Sequence, residues 1–340
     1  MSRVETALAE SEGQAAKLAF LCRPGSYPDR PRAVEVLETH MSWVFLTDRH
    51  AYKLKKPVRT DYLDFSTRDL RRHYCEEELR LNRRLAPEVY LAVVPLAAAP
   101  SGELQLGGSG TPLDWLVKMR RLPAERMLDR AIADWRVTDG EVEAVAERLA
   151  AFYRAAPPID FPPEAYRARF RTAIEDNRNE FVAHGATIPR SRIDGVTRIQ
   201  SAFLADNADL LDRRVAAHAI VEGHGDLRPE HVFLGPPPQI IDCLEFERDF
   251  RILDPADDLA TLAMECDRLG DERVGRTLYA AYGRDTRDPV PERLIAFYKS
   301  FRAALRAKLA IWHLKDEAIS DHGFWEQRAQ DYLDLALRLL

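Results

Sequence analysis

The chain has 340 residues, 46% hydrophobic and 31% charged, with a net charge of −6; this is globular composition, enough for one two-lobed domain or two small ones, and it lacks the basic balance of a general nucleic-acid binder. No apolar run reaches transmembrane length and residues 1–20 are too charged for a signal peptide, so the expectation is a cytoplasmic protein without a membrane partner. Cys22, Cys75, Cys243 and Cys266 show no paired spacing and read as reduced thiols, not as a disulfide frame or zinc site.

Residues 4–20 are Ala- and Glu-rich and predict a helix, followed by a Pro/Gly linker at 23–32. Three β-rich runs follow: 34–38, 43–47 and 51–55. Period two places Ala51, Lys53 and Lys55 on one strand face. A small residue there leaves room for a flat base, and a lysine two residues on can reach phosphates. Residues 68–85 predict a helix with Leu70, Tyr74, Leu81 and Leu85 as its stripe, ended by Pro87. Strands are expected at 93–96 and 113–120, joined by a Gly/Ser-rich loop at 101–112. Beyond Pro123 the pattern turns helical: 141–155 behind a Thr138/Glu141 capping box, then 163–184, 193–214, 256–269, 271–282, 291–316 and 322–340.

One stretch interrupts the helices. Two short apolar runs, 232–234 and 239–243, flank Gly235-Pro236-Pro237-Pro238 and predict a hairpin. His224, Asp226, Arg228, Glu230 and His231 crowd before its first strand, and Asp242 ends its second. Such a hairpin brings Asp226, His231 and Asp242 to one end. Two carboxylates and a third ligand suit a divalent metal and a hydroxyl to be deprotonated. On the late helix, Tyr298, Arg302 and Arg306 at i, i+4 and i+8 make one basic face, either solvated or lining a pocket for an anion.

His224-Gly225-Asp226, Ile241-Asp242 and Asp254-Pro255-Ala256-Asp257-Asp258-Leu259 together resemble the catalytic and metal-binding segments of aminoglycoside phosphotransferase-like kinases, the small-molecule branch of the protein-kinase-like fold. The resemblance implies an α+β, bilobal architecture. Residues 1–120 would form a small antiparallel-sheet N-lobe that binds nucleotide. Residues 121–340 would form a mainly helical C-lobe with a catalytic β-hairpin, a catalytic loop at 222–232, a metal segment at 240–246 and the acceptor site. It implies ATP and Mg²⁺ (or Mn²⁺) as cofactors, and a small-molecule hydroxyl compound as phosphate acceptor. His-Gly-Asp in place of His-Arg-Asp, and the short gap between Phe246 and Asp254, favour this branch over protein kinases.

By the same resemblance, Asp226 is the catalytic base, with His224 and Arg228 beside it, and Asp242 is the main metal ligand, with Glu245 accessory. Lys53 grips the phosphates, with Lys55 as the rival on the same face. Glu78 orients that lysine, with Glu77 next. The stretch from Val117 to Pro123 is the hinge, where backbone around Met119 would read adenine. Two positions depart from the family. The turn at 39–42 has no glycine, so either Ser42 or Thr39 hydroxyls substitute at the phosphate or the grip is looser. His231 stands where the family places a metal-binding Asn; it either ligates, favouring Mn²⁺, or steps back, leaving one metal on Asp242 and the phosphates, with its ring hydrogen-bonding Asp226 or phosphate. These departures keep a non-catalytic nucleotide-binding module as the alternative. A phosphohydrolase built on His224, Asp226 and His231 lacks the further His/Asp motifs of dinuclear sites.

Overall fold

The computed structural model describes residues 13–60, 62–185, 187–315 and 321–340. The expected helix at 4–20 is seen over residues 13–21 (α1); its first part lies outside the described residues. The chain separates into two compact units. One comprises the residues up to Ala124 together with Gln239–Glu247; the other comprises Glu125–Pro238 and Arg248–Leu340.

The first unit is a six-stranded antiparallel sheet in the order β1-β2-β3-β6-β4-β5. Its strands are β1 (Glu35–Glu38), β2 (Ser42–Leu46), β3 (His50–Lys55), β4 (Tyr90–Ala98), β5 (Leu104–Leu106) and β6 (Thr111–Arg120). The two faces are covered differently. Tyr52 and Leu54 of β3 pack with Leu21, Tyr27, Phe45, Leu96 and Leu116. Strand alternation therefore turns Ala51, Lys53 and Lys55 to the opposite face, where Ala51 packs with Cys75 of α2 (Arg68–Asn82) and with Tyr90, Val117 and Met119. β5 lies inside the segment expected to be a Gly/Ser-rich loop; at three residues it is too short to show a period.

α2 starts on Thr67, whose side chain accepts from the Leu70 N–H. Arg71 forks onto Asp114 of β6 at 2.9 Å through both Nε and Nη2, which fixes the helix against the sheet. The buried stripe is Arg71, Cys75, Glu78, Leu81 and Asn82. The apolar stripe expected from Leu70 and Tyr74 is displaced by one residue, because the inner face of this helix is largely polar.

The second unit holds α3 (Leu128–Ala133), α4 (Asp139–Ala155), α5 (Pro163–His184), α6 (Arg190–Asp206), α7 (Ala208–Ala216), α8 (Pro255–Arg268), α9 (Glu272–Thr286), α10 (Glu292–His313) and α11 (His322–Leu339). The capping box at Thr138 and Glu141 forms as expected. The single helix expected over 193–214 is two, broken at Asn207, whose side chain bonds back to the Phe203 carbonyl. α3 escaped the sequence reading. Among the described residues no helix is long and apolar enough to cross a membrane.

Two short strands, β7 (Val221–Glu222) and β10 (Ile252–Leu253), pair antiparallel and bring residues 223–226 beside the start of α8. The apolar runs around the Pro-rich turn form β8 (Val232–Phe233) in the second unit and β9 (Gln239–Ile240) in the first.

α8 is buried along nearly its whole length. Its acidic residues meet α10 and its neighbours in a ladder. Asp254 takes a two-point contact from Arg214 (2.7 and 2.8 Å) and the Tyr298 hydroxyl (3.1 Å). Asp257 takes Arg302 at 2.6 and 2.5 Å. Asp267 pairs with Lys299. Tyr298 and Arg302 are therefore interior and bound to the Asp-Pro motif, while Arg306 is partly exposed.

Candidate active site

In the first unit, β3 delivers two lysines to one carboxylate of α2. Glu78 has no exposed side-chain surface. Lys55 Nζ donates to its Oε2 at 2.6 Å. Lys53 Nζ lies 3.0 Å from its Oε1, out of line for a hydrogen bond, and donates instead to Asp242 Oδ1 at 2.7 Å. Lys55 also donates to Glu245 and is itself fully buried. Two cations thus face three carboxylates. Burial alone would lower the Lys53 ammonium, but Asp242, Glu78 and Glu245 outweigh it and hold its pKa well above the ordinary lysine value. Burial would raise Glu78, but the two lysines keep its pKa below the usual carboxylate value.

The segment carrying Asp242 is hung on α2 and β4. Asp242 sits at φ 62, a left-handed conformation that few residues other than glycine adopt. Its N–H donates to the Tyr90 hydroxyl at 3.1 Å. The Cys243 N–H donates to Asn82 Oδ1 at 2.9 Å, and Asn82 Nδ2 donates to the Glu78 carbonyl one turn earlier. The residue that orients the lysines and the residue that anchors the Asp242 segment are therefore neighbours on one helix face. The Asp242 side chain is 41% exposed, so a hard oxygen donor stands on the accessible side, which fits Mg²⁺.

In the second unit, the loop after β7 is organised by Asp258. Its carboxylate accepts from the His224 N–H (2.7 Å), the Gly225 N–H (3.1 Å) and the Tyr153 hydroxyl (3.0 Å). A Cβ on Gly223 would stand 2.6 Å from Asp258 Oδ2, so any larger residue there would have to displace the Asp258 side chain or the loop. The Asp226 N–H donates to Nδ1 of the buried His224 at 3.3 Å. Asp226 presents a partly exposed carboxylate held by Arg228 Nε at 3.1 Å. Arg228 also bonds Glu230 (2.6 Å) and Nε2 of His231 (3.0 Å).

An arginine can only donate, so His231 Nε2 accepts and its Nδ1 carries the proton, given to the Asp226 carbonyl at 2.9 Å. The ring is 6% exposed. Both ring nitrogens are thus engaged within the loop, and ligation through Nε2 would require Arg228 to leave.

The other sequence candidates fall as follows. Ser42 is buried opposite Lys55 in the strand register. The Thr39 hydroxyl accepts from the Ser42 N–H and donates to the Ser42 carbonyl, both at 3.0 Å, which closes the turn on itself. Met119 pairs in register with Ala51 and packs with Val117 and Tyr90, bordered by Val44, Leu46 and Ile241, an apolar surface suited to a flat ring. Glu245 points to Lys55. Glu77 pairs with Arg80 on the outer face of α2. Among the described residues no three His, Cys, Asp or Glu side chains converge as a metal cage. A site that shares its cation with substrate phosphates needs only one or two carboxylates. Sequence reasoning missed Asn82 and Tyr90. An Asn four residues after Glu78 was the available signal for the first.

The family model described as phosphotransferase enzyme family matches residues 48–297. A Mycobacterium tuberculosis (strain ATCC 25618 / H37Rv) protein, itself uncharacterised, is 34% identical over 284 residues, which cover 81% of this chain and 54% of the relative; a Mycobacterium bovis protein matches to the same extent. The chain thus spans about half the length of the curated relatives it matches. Among solved structures, a choline kinase from Cryptosporidium parvum superposes with a TM-score of 0.58 at 10% identity, over 95% of each chain. A choline/ethanolamine kinase family protein from Mesorhizobium loti gives 0.53 at 15%, covering 96% of this chain and 99% of that one. These superpositions show an α+β, protein-kinase-like fold. The match over residues 48–297 takes in most of the chain, the mycobacterial relative extends further, and on both grounds the chain belongs to the aminoglycoside phosphotransferase-like phosphotransferase family.

Proposed function

We propose that the protein is a small-molecule kinase that transfers the γ-phosphate of ATP to a hydroxyl group with the help of a divalent cation. The observation that carries the reading is the Lys53–Glu78–Asp242 arrangement: a buried carboxylate behind a lysine whose ammonium touches a second, accessible carboxylate. ATP would supply the phosphoryl group, and a cation held by Asp242 would supply positive charge where negative charge gathers. Lys53 would hold phosphate oxygens, Asp242 would hold the metal, and the surface around Ala51 and Met119 would take the adenine.

Asp226 would orient the acceptor hydroxyl. As the acceptor oxygen bonds to the γ-phosphorus and the bridging P–O bond breaks to release ADP, the hydroxyl proton passes to the Asp226 carboxylate. His224, Arg228 and His231 would hold that carboxylate in place. A metabolite pool incubated with the protein and ATP should yield a phosphorylated product. Asp226→Ala should lose about 10²-fold or more of the turnover, the scale of a positioned base, while retaining nucleotide binding. Wild-type turnover in that variant would refute the assignment. The glycine-free turn closed by Thr39 favours a second reading, a nucleotide-binding module without turnover; ATP binding with no metal-dependent turnover would support it.

A further inference from the structure

The ladder between α8 and α10 has one rung unlike the others. Arg302 spends two nitrogens of its fork on Asp257, and Arg214 does the same on Asp254. On Glu265 two arginines converge on one carboxylate. Arg268 gives Nε at 2.7 Å and Arg306 gives Nε at 3.1 Å, while the Tyr332 hydroxyl adds a third bond at 2.7 Å. Neither Nη edge is used on Glu265. The side chains are 28% and 18% exposed, against 8% and 10% for Arg214 and Arg302. A third guanidinium, Arg328, stands 5.8 Å from the Tyr332 ring centroid, and Arg268 and Arg306 stand at 5.4 and 5.8 Å from it.

This rung adjoins the catalytic loop within the second unit. α8 packs against the turn Pro229–His231. Burial would lower the proton affinity of Arg306 and Arg268, but Glu265 and Tyr332 outweigh it, with smaller contributions from Asp226 on Arg306 and from Glu230 on Arg268. Glu265 itself is 2% exposed, with its pKa held down by the two arginines against the effect of burial. One buried carboxylate thus holds both guanidiniums by their Nε atoms beside the Tyr332 ring, and no hydrogen bond from their terminal nitrogens to Glu265 is formed. The terminal edge of a guanidinium matches the oxygens of a carboxylate or phosphate.

We propose that Arg268, Arg306 and Arg328 form an anion subsite for the acceptor, so that the compound phosphorylated is a hydroxyl compound bearing a carboxylate or phosphate group. The proposal rests on the phosphotransferase reading above. The anion docks at the arginines and places a hydroxyl of the same molecule at Asp226.

The test is a matched acceptor panel with ATP and Mg²⁺: a neutral hexose, its 6-phosphate, the corresponding sugar acid, an amino sugar and choline. The anionic members should be used with the higher kcat/KM, and comparing the phosphate with the acid identifies which anion fits. Arg328→Gln, which leaves the Glu265 pairs intact, should raise the KM for the anionic acceptor about 10-fold, the scale of one charge-assisted hydrogen bond. The ATP KM should move less. Arg306→Lys should show the same split if the variant of the paired residue folds. Preferential transfer to the neutral or cationic members overturns the anionic assignment and leaves the kinase reading standing, as does a rise confined to the ATP KM. Failure of every acceptor, with no slow ATP hydrolysis that Asp226→Ala abolishes, overturns both.

Discussion

Lys53 and Lys55 sit two residues apart on one strand face and share Glu78, yet their surroundings give them different work. Lys53 is partly exposed and reaches Asp242; Lys55 has no exposed side-chain surface and is clasped between Glu78 and Glu245. Removing one partner of a buried charge network leaves an uncompensated charge, which costs about 3–5 kcal/mol. Lys55→Met should therefore lower the denaturation midpoint strongly, with lost activity following lost structure. Lys53→Met should lower turnover far more than stability. Urea unfolding alongside turnover separates the two, and the opposite ranking would reverse the roles. His231 offers a second residue-level test. With both ring nitrogens engaged on the loop, His231→Asn should leave the Mg²⁺/Mn²⁺ preference unchanged and cost about 1–3 kcal/mol for the groups left unpaired. A shift of preference toward Mg²⁺ would show that the ring had been a ligand.

At the scale of elements, the loop after β7 depends on the first turn of α8 more than on itself. Asp258 holds two consecutive backbone N–H groups and Tyr153, and at Gly223 a Cβ would collide with it. Gly223→Ala would push a methyl against Asp258 Oδ2 at 2.6 Å and Leu253 Cδ1 at 2.8 Å. The expected result is a fall in kcat with a smaller change in ATP affinity, because Asp226 lies downstream of the displaced backbone. Unchanged kcat would mean that the loop absorbs the methyl elsewhere. These elements were partly legible beforehand. His224-Gly225-Asp226 and Ile241-Asp242 could be read because chemistry demands those residue types next to short strands. Lys55, Asn82 and Tyr90 could not be ranked, since each acts on a group brought near by folding: Asn82 meets Cys243, which is far away in sequence. The displaced stripe on α2 has the same origin, because a helix whose inner face serves a charged network does not show its burial as hydrophobicity. β5 was too short to signal, and the break at Asn207 depends on a side-chain bond that composition does not reveal.

For the whole molecule, the buried charges set the response to pH. Glu78 in the first unit and Glu265 in the second both have folded pKa values below the usual glutamate value, despite burial, because cations surround them. A depressed carboxyl contributes stability that is present above its unfolded pKa and lost as pH falls through the folded one. Lys53 and Lys55 are shifted upward; their contribution is full below the unfolded lysine pKa and is lost as pH rises through the folded one. Asp257 works the other way, since burial raises it in spite of Arg302, so it softens the acid limb. Burial also raises the Cys75 and Cys266 thiols, which lose stability once an unfolded cysteine would ionise. Stability should therefore be broad and flat from about pH 5 to about pH 8, with the acid edge set by the glutamates and the alkaline edge opened by the thiols before the lysines. Denaturant midpoints measured across that range check it; a sharp optimum near neutrality would contradict it.

The grouping of Gln239–Glu247 with the sheet has a consequence for synthesis. Everything else in the first unit precedes Ala124, and the intervening chain, Glu125–Pro238, belongs to the other unit. On the ribosome the sheet and α2 emerge with Lys53 and Lys55 set around Glu78 but without Asp242 and Glu245, the two carboxylates that complete their pairing. That nascent unit carries an excess of buried positive charge, and Asn82 and Tyr90 have yet to meet the segment they hold. A chain truncated at residue 124 should therefore be a poor autonomous folder despite containing all six strands, and the unit can close only after residue 247 has been made.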